Sequence, residues 1–241
     1  MTNDRCRIAN KRKKEKGRRK KENKNKTLVL ARSPDLARLP DFRRVRGPDD
    51  TFKNKNFNTK TFMKKEILKI LPEIRKIKNL ELREKVIFTW EEGIRLGGWD
   101  MEDLKKIPFT LLISDSRVNL VEHTRAVTNT ALRVAEVVSR AYGNSVKIDK
   151  DVLIAGGVLH DVGKLLEYAK VKGKITKSIK GKFLRHPFSG AALAYKCGVP
   201  DEVLHLIAAH SHEGDQGFRS IEAIIIHHAD FINFEVLGGK T

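Results

Sequence analysis

The sequence predicts an all-α helical bundle preceded by a disordered, basic tail. Apolar residues recur every three to four positions from Met63 onward, no run alternates convincingly with period two, and the excess positive charge is confined to one end of the chain. With 241 residues, 27.4 kDa and 40% hydrophobic content, the chain is long enough for one domain with an appendage, or two small domains, around a sizeable core.

The formal charge is +19. Residues 1–62 hold 21 Lys and Arg against 7 Asp and Glu, and residues 63–241 hold 28 against 23, so the tail carries +14 and the remainder +5. From Lys11 to Lys26 there is no apolar side chain whose burial would offset the entropy of ordering the chain. Residues 27–62, with Pro34, Pro40, Pro48 and an Asn/Lys-rich stretch, read as linker. A run of this kind neutralises phosphates nonspecifically, which makes contact with RNA, DNA or an anionic surface one expectation. A solvated tail, or a true start at Met63, are the others. No stretch free of Asp, Glu, Lys and Arg exceeds ten residues, against the roughly 20 apolar residues of a membrane-spanning helix. The apolar run Thr27 to Ala31 is too short for a secretory signal. Cys6 and Cys197 lie too far apart in the chain to supply a disulfide framework or a Cys-based zinc site by themselves. A membrane span is excluded, and a cytoplasmic, reducing location is expected.

Met63, Ile67, Leu71, Ile74 and Ile77 mark one amphipathic helix, and Leu82, Val86, Trp90 and Ile94 a second, stopped by Gly97-Gly98. A long helix from about Arg117 to Tyr142 carries the stripe Leu120, Thr124, Val127, Ala131, Val134, Val138 and ends at Gly143-Asn144. Asp149 to His160 is apolar on every side, as a central helix is, and its glycines permit a close neighbour. Further helices are expected over 186–197, 201–211 and 219–235. The Gly/Lys-rich stretch between Glu167 and Lys182 reads as an exposed loop. The expected organisation is a tail and linker over 1–62, a helical extension over 63–114 and a functional domain over 115–241. There is no internal repeat, P-loop or dinucleotide-binding glycine fingerprint.

All eight histidines follow residue 122, and several occupy inward positions. His123 falls between Leu120 and Val127 on the buried stripe of the long helix. His160 and Asp161 end the central helix, His210 shares a face with Val203, Leu206 and Ile207, and Asp230 follows Ile224-Ile225-Ile226-His227-His228-Ala229. An ionised carboxylate in such surroundings costs several kcal/mol unless paired or metal-bound. Lys164 is the one nearby cation in sequence. Singly, each histidine is more readily a hydrogen-bonded core or surface residue than a ligand. Together, imidazoles and carboxylates converging from several helices are how bundles build metal sites.

The order His123, His160-Asp161 with Val162-Gly163-Lys164, His186-Pro187, His210 and Asp230 resembles the HD superfamily of metal-dependent phosphohydrolases, and Leu159 to Lys164 is similar to its HDIG-type signature. The resemblance covers roughly residues 115–235 and implies an HD-type helical bundle. It implies that His123, His160, Asp161 and Asp230 bind one divalent metal ion. The presence of both His186 and His210 favours the branch in which they hold a second ion and Asp161 bridges the pair. Fe, Mn, Zn, Co and Ni all suit such ligands. The resemblance further makes Lys164 a fixed cation beside a substrate phosphate or a partner for Asp161; apart from it, Lys164 reads as a solvated lysine. His212 is the alternative to His210 if its helix stops early, and His227 either stands behind Asp230, contacts substrate or is a core histidine. The branch that cleaves cyclic dinucleotides carries a Gly-Tyr-Pro element, whereas this chain reads His210-Ser211-His212-Glu213-Gly214-Asp215-Gln216-Gly217-Phe218, so that activity is not assigned.

Two divalent ions lower the pKa of a bridging water and present hydroxide to phosphorus. The expected function is therefore a divalent-metal-dependent phosphohydrolase acting on a nucleotide or other phosphoester through a metal-bridged hydroxide, with Asp161 and Lys164 as catalytic residues and phosphomonoesterase or phosphodiesterase left open. The alternative is a nucleotide- or nucleic-acid-binding regulatory module with little or no turnover. The stretch from Lys170 to Arg185 reads either as a basic rim attracting an anionic substrate or as a solvated loop.

Overall fold

A computed structural model of the chain describes residues 61–113 and 116–240; apart from its last two residues, the tail expected over 1–62 lies outside that range. The fold is helical. Helix α1 (61–70) gives way at Pro72, which disfavours helical backbone at Leu71 before it, and Pro72–Lys76 continues as a 3-10 turn. The periodicity predicts a single helix through Ile77, and this break corrects it, although Ile67, Leu71, Ile74 and Ile77 all remain fully buried. Helix α2 (Leu80–Gly97) starts at Asn79, whose side chain accepts from the Leu82 amide, and ends at Gly98 in the left-handed region. Helix α3 (Leu120–Tyr142) opens on a reciprocal capping box between Asn119 and Glu122.

Helix α4 (Lys150–Leu159), capped by Asp149, runs through the centre with Leu153 to Leu159 buried. After the turn at 160–163 come α5 (Lys164–Glu167), strands β1 (Tyr168–Val171) and β2 (Lys174–Lys177), and α6 (Ile179–Phe183). Helices α7 (His186–Lys196), α8 (Asp201–Ala209) and α9 (Ile221–Glu235) complete the bundle. The strands pair antiparallel with Val171 opposite Lys174, so Lys172 and Gly173 form a two-residue turn with φ of 49° and 78°. The stretch expected to be a loop is therefore a hairpin followed by a short helix. Tyr168 is the only buried residue of either strand, which leaves no alternation to read. The hairpin is closed at its base by Ser178, whose amide donates to the Glu167 carbonyl at 2.8 Å and whose hydroxyl donates to the Leu166 carbonyl at 2.8 Å.

One apolar core joins the early helices to the later ones: Leu71, Trp90 and Ile94 pack in the same cluster as Leu159, Val162 and Leu165. Two indoles fasten this contact. Trp90 Nε1 donates to the Val158 carbonyl at 3.2 Å and Trp99 Nε1 to the Leu165 carbonyl at 2.7 Å, so α2 and the residues after it bracket the segment that carries His160 and Asp161. Among the described residues, no helix is long and apolar enough to cross a membrane. Trp90→Ala is expected to destabilise the fold by about 3–5 kcal/mol, read from urea unfolding; a loss under about 1 kcal/mol would mean the indole is not part of the packed core.

Candidate metal centre

Asp161 is the middle of the site. Its carboxylate is 1% exposed, and its two oxygens face different partners. Oδ2 lies 3.3 Å from His160 Nε2, 3.6 Å from His123 Nε2 and 2.5 Å from Lys164 Nζ. Oδ1 lies 3.3 Å from His186 Nε2 and 3.8 Å from His210 Nε2. Asp230 closes the first group, with Oδ1 2.9 Å from His123 Nε2 and 3.8 Å from His160 Nε2. The structure thus brings His123, His160, Asp161, His186, His210 and Asp230 together. His123–His160–Asp161 and Asp161–His186–His210 each present ligand atoms within 4.8 Å of one another, the geometry of groups that could hold a metal ion.

Local folding delivers each side chain. The capping box places His123 in the first turn of α3, and Phe109 packs on its ring with centroids 4.6 Å apart. His160 and His210 are the residues directly after α4 and α8, and they use the same device. Each sends Nδ1 back to the carbonyl three residues earlier, Gly157 and Ile207, both at 2.7 Å. Those carbonyls belong to the last turn of their helices and have no partner within it. The bond therefore completes the helix end and commits Nδ1 as a donor, so that in the neutral ring Nε2 is the nitrogen that keeps a lone pair, facing Asp161. His186 begins α7 ahead of Pro187, and the Glu167 carboxylate grips it twice, accepting from its amide at 2.7 Å and its Nδ1 at 2.9 Å. Gly163 lets the two halves of the site meet, since a Cβ there would fall 2.1 Å from the His186 carbonyl oxygen.

The electrostatics suit a cation. Burial raises the Asp161 carboxyl, but Lys164 and the neighbouring imidazoles outweigh it and hold the group well below the usual range. Asp230 is likewise depressed, by His123 and His160 against its burial. Burial, reinforced by His160 and His186, pushes His210 down to about 3, and burial also lowers His123 despite Asp230. His160 is raised, because Asp161 and Asp230 outweigh its burial. Asp161 in the interior and Asp230, half-buried at the cavity, are thus ionised with one buried lysine beside them, and His160 Nε2, His210 Nε2 and Asp161 Oδ1 are buried without a hydrogen-bond partner. Metal–nitrogen bonds of about 2.1 Å at tetrahedral to octahedral angles put ligand atoms about 3.0–3.4 Å apart, close to the spacings found here. The donor set fits divalent ions.

The centre opens into a cavity. His123, Lys164, His186 and Asp230 form its floor, Phe109, Phe231 and Phe234 part of its wall, and Lys177, Arg185 and His212 part of its rim. His212 does not join the cluster: it is exposed and pairs through Nδ1 with Asp215 at 2.9 Å. His227 stands behind the site, its Nδ1 2.7 Å from the His210 carbonyl oxygen. Sequence reasoning missed Glu167, whose partner is 19 residues away in the chain, and the wall residues Phe109 and Phe231, which follow no motif.

Residues 120–232 match the family model described as HD domain. Over 114 residues the chain is 38% identical to a dihydroneopterin 2′,3′-cyclic phosphate phosphodiesterase of Methanocaldococcus jannaschii, covering 46% of this chain and 44% of that protein. It is 28% identical over 157 residues to ribonuclease Y of Borreliella burgdorferi, covering 65% of this chain and 26% of the relative, and 30% identical over 115 residues to ribonuclease Y of Rubrobacter xylanophilus, covering 48% and 18%. The chain spans less than half the length of these relatives. No solved structure matches it.

Glu167 is held at about 2, because His186 and Arg185 outweigh the effect of its burial. Its folded value lies below the unfolded one near 4.5, so the stability it contributes is present above that pH and lost as pH falls toward 2. Glu167→Gln should flatten this acid limb in urea unfolding between pH 6 and about 2.5, and should weaken divalent-metal binding by about 10- to 100-fold in calorimetric titration. Unchanged metal affinity would show that Glu167 does not orient His186.

Proposed function

We propose, from the premise that residues 120–232 of this chain are an HD domain, that the protein is a divalent-metal-dependent phosphodiesterase. The observation that carries this reading is the division of one buried carboxylate between two imidazole pairs. In this reading His123, His160, Asp161 and Asp230 would hold one ion, and His186 and His210 would hold a second together with Asp161. Bound there, two divalent ions supply Lewis acidity toward phosphoryl oxygens and a nucleophile generated from water at neutral pH.

The chain's own residues do the rest. Nδ1 hydrogen bonds fix the tautomers of His160, His186 and His210 before any ligand arrives. Lys164, 2.5 Å from Asp161, lines the cavity floor and sets positive charge where a phosphate would rest. Phe109, Phe231 and Phe234 narrow the space around a bound ester and exclude water, which strengthens every charge interaction on the floor. Lys177 and Arg185 at the rim, paired with Glu167 and Glu213, offset the acidic charge at the entrance to an anionic substrate.

The choice of diester over monoester rests on the relatives, one named for a 2′,3′-cyclic phosphate diester and the others named ribonucleases. A phosphodiester built on neighbouring hydroxyl-bearing carbons is therefore the substrate class, as in a 2′,3′-cyclic phosphate or an RNA linkage. A cytoplasmic location, and contact of the +14 residues 1–62 with nucleic acid, belong to the same reading and are supported by composition alone. A binding module without turnover is the weaker reading, since binding alone needs no carboxylate shared between two imidazole pairs.

Asp161→Asn should keep the helical circular dichroism of the parent and lose hydrolysis of bis(p-nitrophenyl) phosphate by about a hundredfold or more. Chelation should silence the parent protein, and Mn, Fe, Co, Ni or Zn should restore it to different degrees. A variant that turns over the diester as fast as the parent would refute the assignment.

A further inference from the structure

Residues 168–200 contain eight Lys and Arg and no Asp or Glu. Some of these cations are already paired: Lys170 with Asp103 at 2.6 Å, Lys177 with Glu167 at 3.4 Å and Arg185 with Glu213 at 3.0 Å. Lys174, Lys180 and Lys182 are exposed and make no ion pair with any described residue. Interleaved with them are large apolar side chains facing outward. Ile179 is 79% exposed, Phe183 84% and Phe188 52%. Their exposure is built in rather than a frayed end, because α6 is pinned from its other side: Gly181 is buried, and a Cβ there would fall 2.2 Å from the Glu167 carbonyl oxygen. With the opposite face fixed against the body, Ile179 and Phe183, four residues apart on one side of α6, have nowhere to fold away. Apolar side chains rimmed by charge mark an interaction surface.

This face runs into the metal cavity. Lys177 and Arg185 belong to both, and Phe188 follows His186 by two residues on α7. We infer that residues 174–188 form a binding track for single-stranded nucleic acid, with Phe183 and Phe188 stacking on bases and Lys174, Lys180 and Lys182 neutralising phosphates. A single strand is the partner that offers an anionic backbone and unpaired aromatic faces together, and stacking rings set among cations are how proteins hold one without regard to sequence. A duplex keeps its bases stacked inside. A bilayer surface satisfies the lysines and phenylalanines but gives no reason for the track to lead into a recess floored by buried histidines. The inference rests on the diesterase reading only in what the track is for: it would bring one linkage of the strand to Asp161.

The test uses the full chain with chelator present, so that nothing is cleaved, and measures anisotropy of a fluorescently labelled single-stranded oligoribonucleotide across salt concentrations. Phe183→Ala should weaken binding by about tenfold, the loss expected when one stacked base is released. Lys180→Ala with Lys182→Ala should reduce the slope of log K against log salt by about 1.4, at about 0.7 for each phosphate that is no longer neutralised. Both variants should keep the parent unfolding midpoint, because the altered side chains are exposed. Affinity within twofold of the parent and an unchanged slope would overturn the inference. So would duplex RNA binding as tightly as the single strand, or Phe183→Ala losing binding to phosphatidylserine vesicles while keeping the oligonucleotide. Binding is read without turnover, so an inactive parent that still shows these losses defeats the hydrolytic reading alone, and an active parent without them defeats the track alone.

Discussion

One carboxylate taken out of water organises this molecule. An ionised group at 1% exposure is sustained only by what surrounds it, and Asp161 has around it His160 and Lys164 from its own segment and the imidazole nitrogens of His123, His186 and His210 from three other helices or their ends. The bundle solves an assembly problem: α3, the end of α4, the start of α7, the end of α8 and the middle of α9 must all reach one point. Long helices crossing near their ends are a compact way to do that, because a helix end offers both a fixed direction and backbone groups still in need of partners.

That need is what the site exploits. At His160 and His210 a single hydrogen bond serves two ends, finishing a helix and choosing which ring nitrogen stays bare. At His186 the same result comes from the other end of a helix, where Glu167 takes the first amide and the ring together. Stability and chemical readiness are therefore the same contacts. The surrounding core, with Trp90 and Trp99 tied to carbonyls of the central segment, holds these termini in place from behind.

Much of this was legible in the sequence, and the reasons it was or was not are physical. Helices α2, α3, α4 and α9 bury a stripe or a whole circumference, so their period shows; His123 and Asp230 stood out because they interrupt apolar runs. The HD resemblance gave the order of the six residues that the structure brings together. Pro72 was in plain view but overridden by an apolar spacing that a 3-10 turn preserves. The hairpin was illegible because its strands bury almost nothing, and Glu167 because its role depends on a partner that only folding brings near. The same holds for Phe109 and Phe231, which matter by where they end up.

The hairpin's base has a consequence of its own. Ser178 is stitched to Leu166 and Glu167, while Gly163 meets His186 backbone to backbone on the near side of that stitch. The ten residues from Tyr168 to Lys177 therefore leave and re-enter the body at one fastened point, like a cassette in a frame. Within it Tyr168 and Ile175 pack on the core and Lys170 and Lys177 pair with Asp103 and Glu167, so only the exposed tip from Val171 to Lys174 is free to change in length and composition. Changes confined to that tip leave the six-residue centre where it is, because every tie between the hairpin and the body lies outside it.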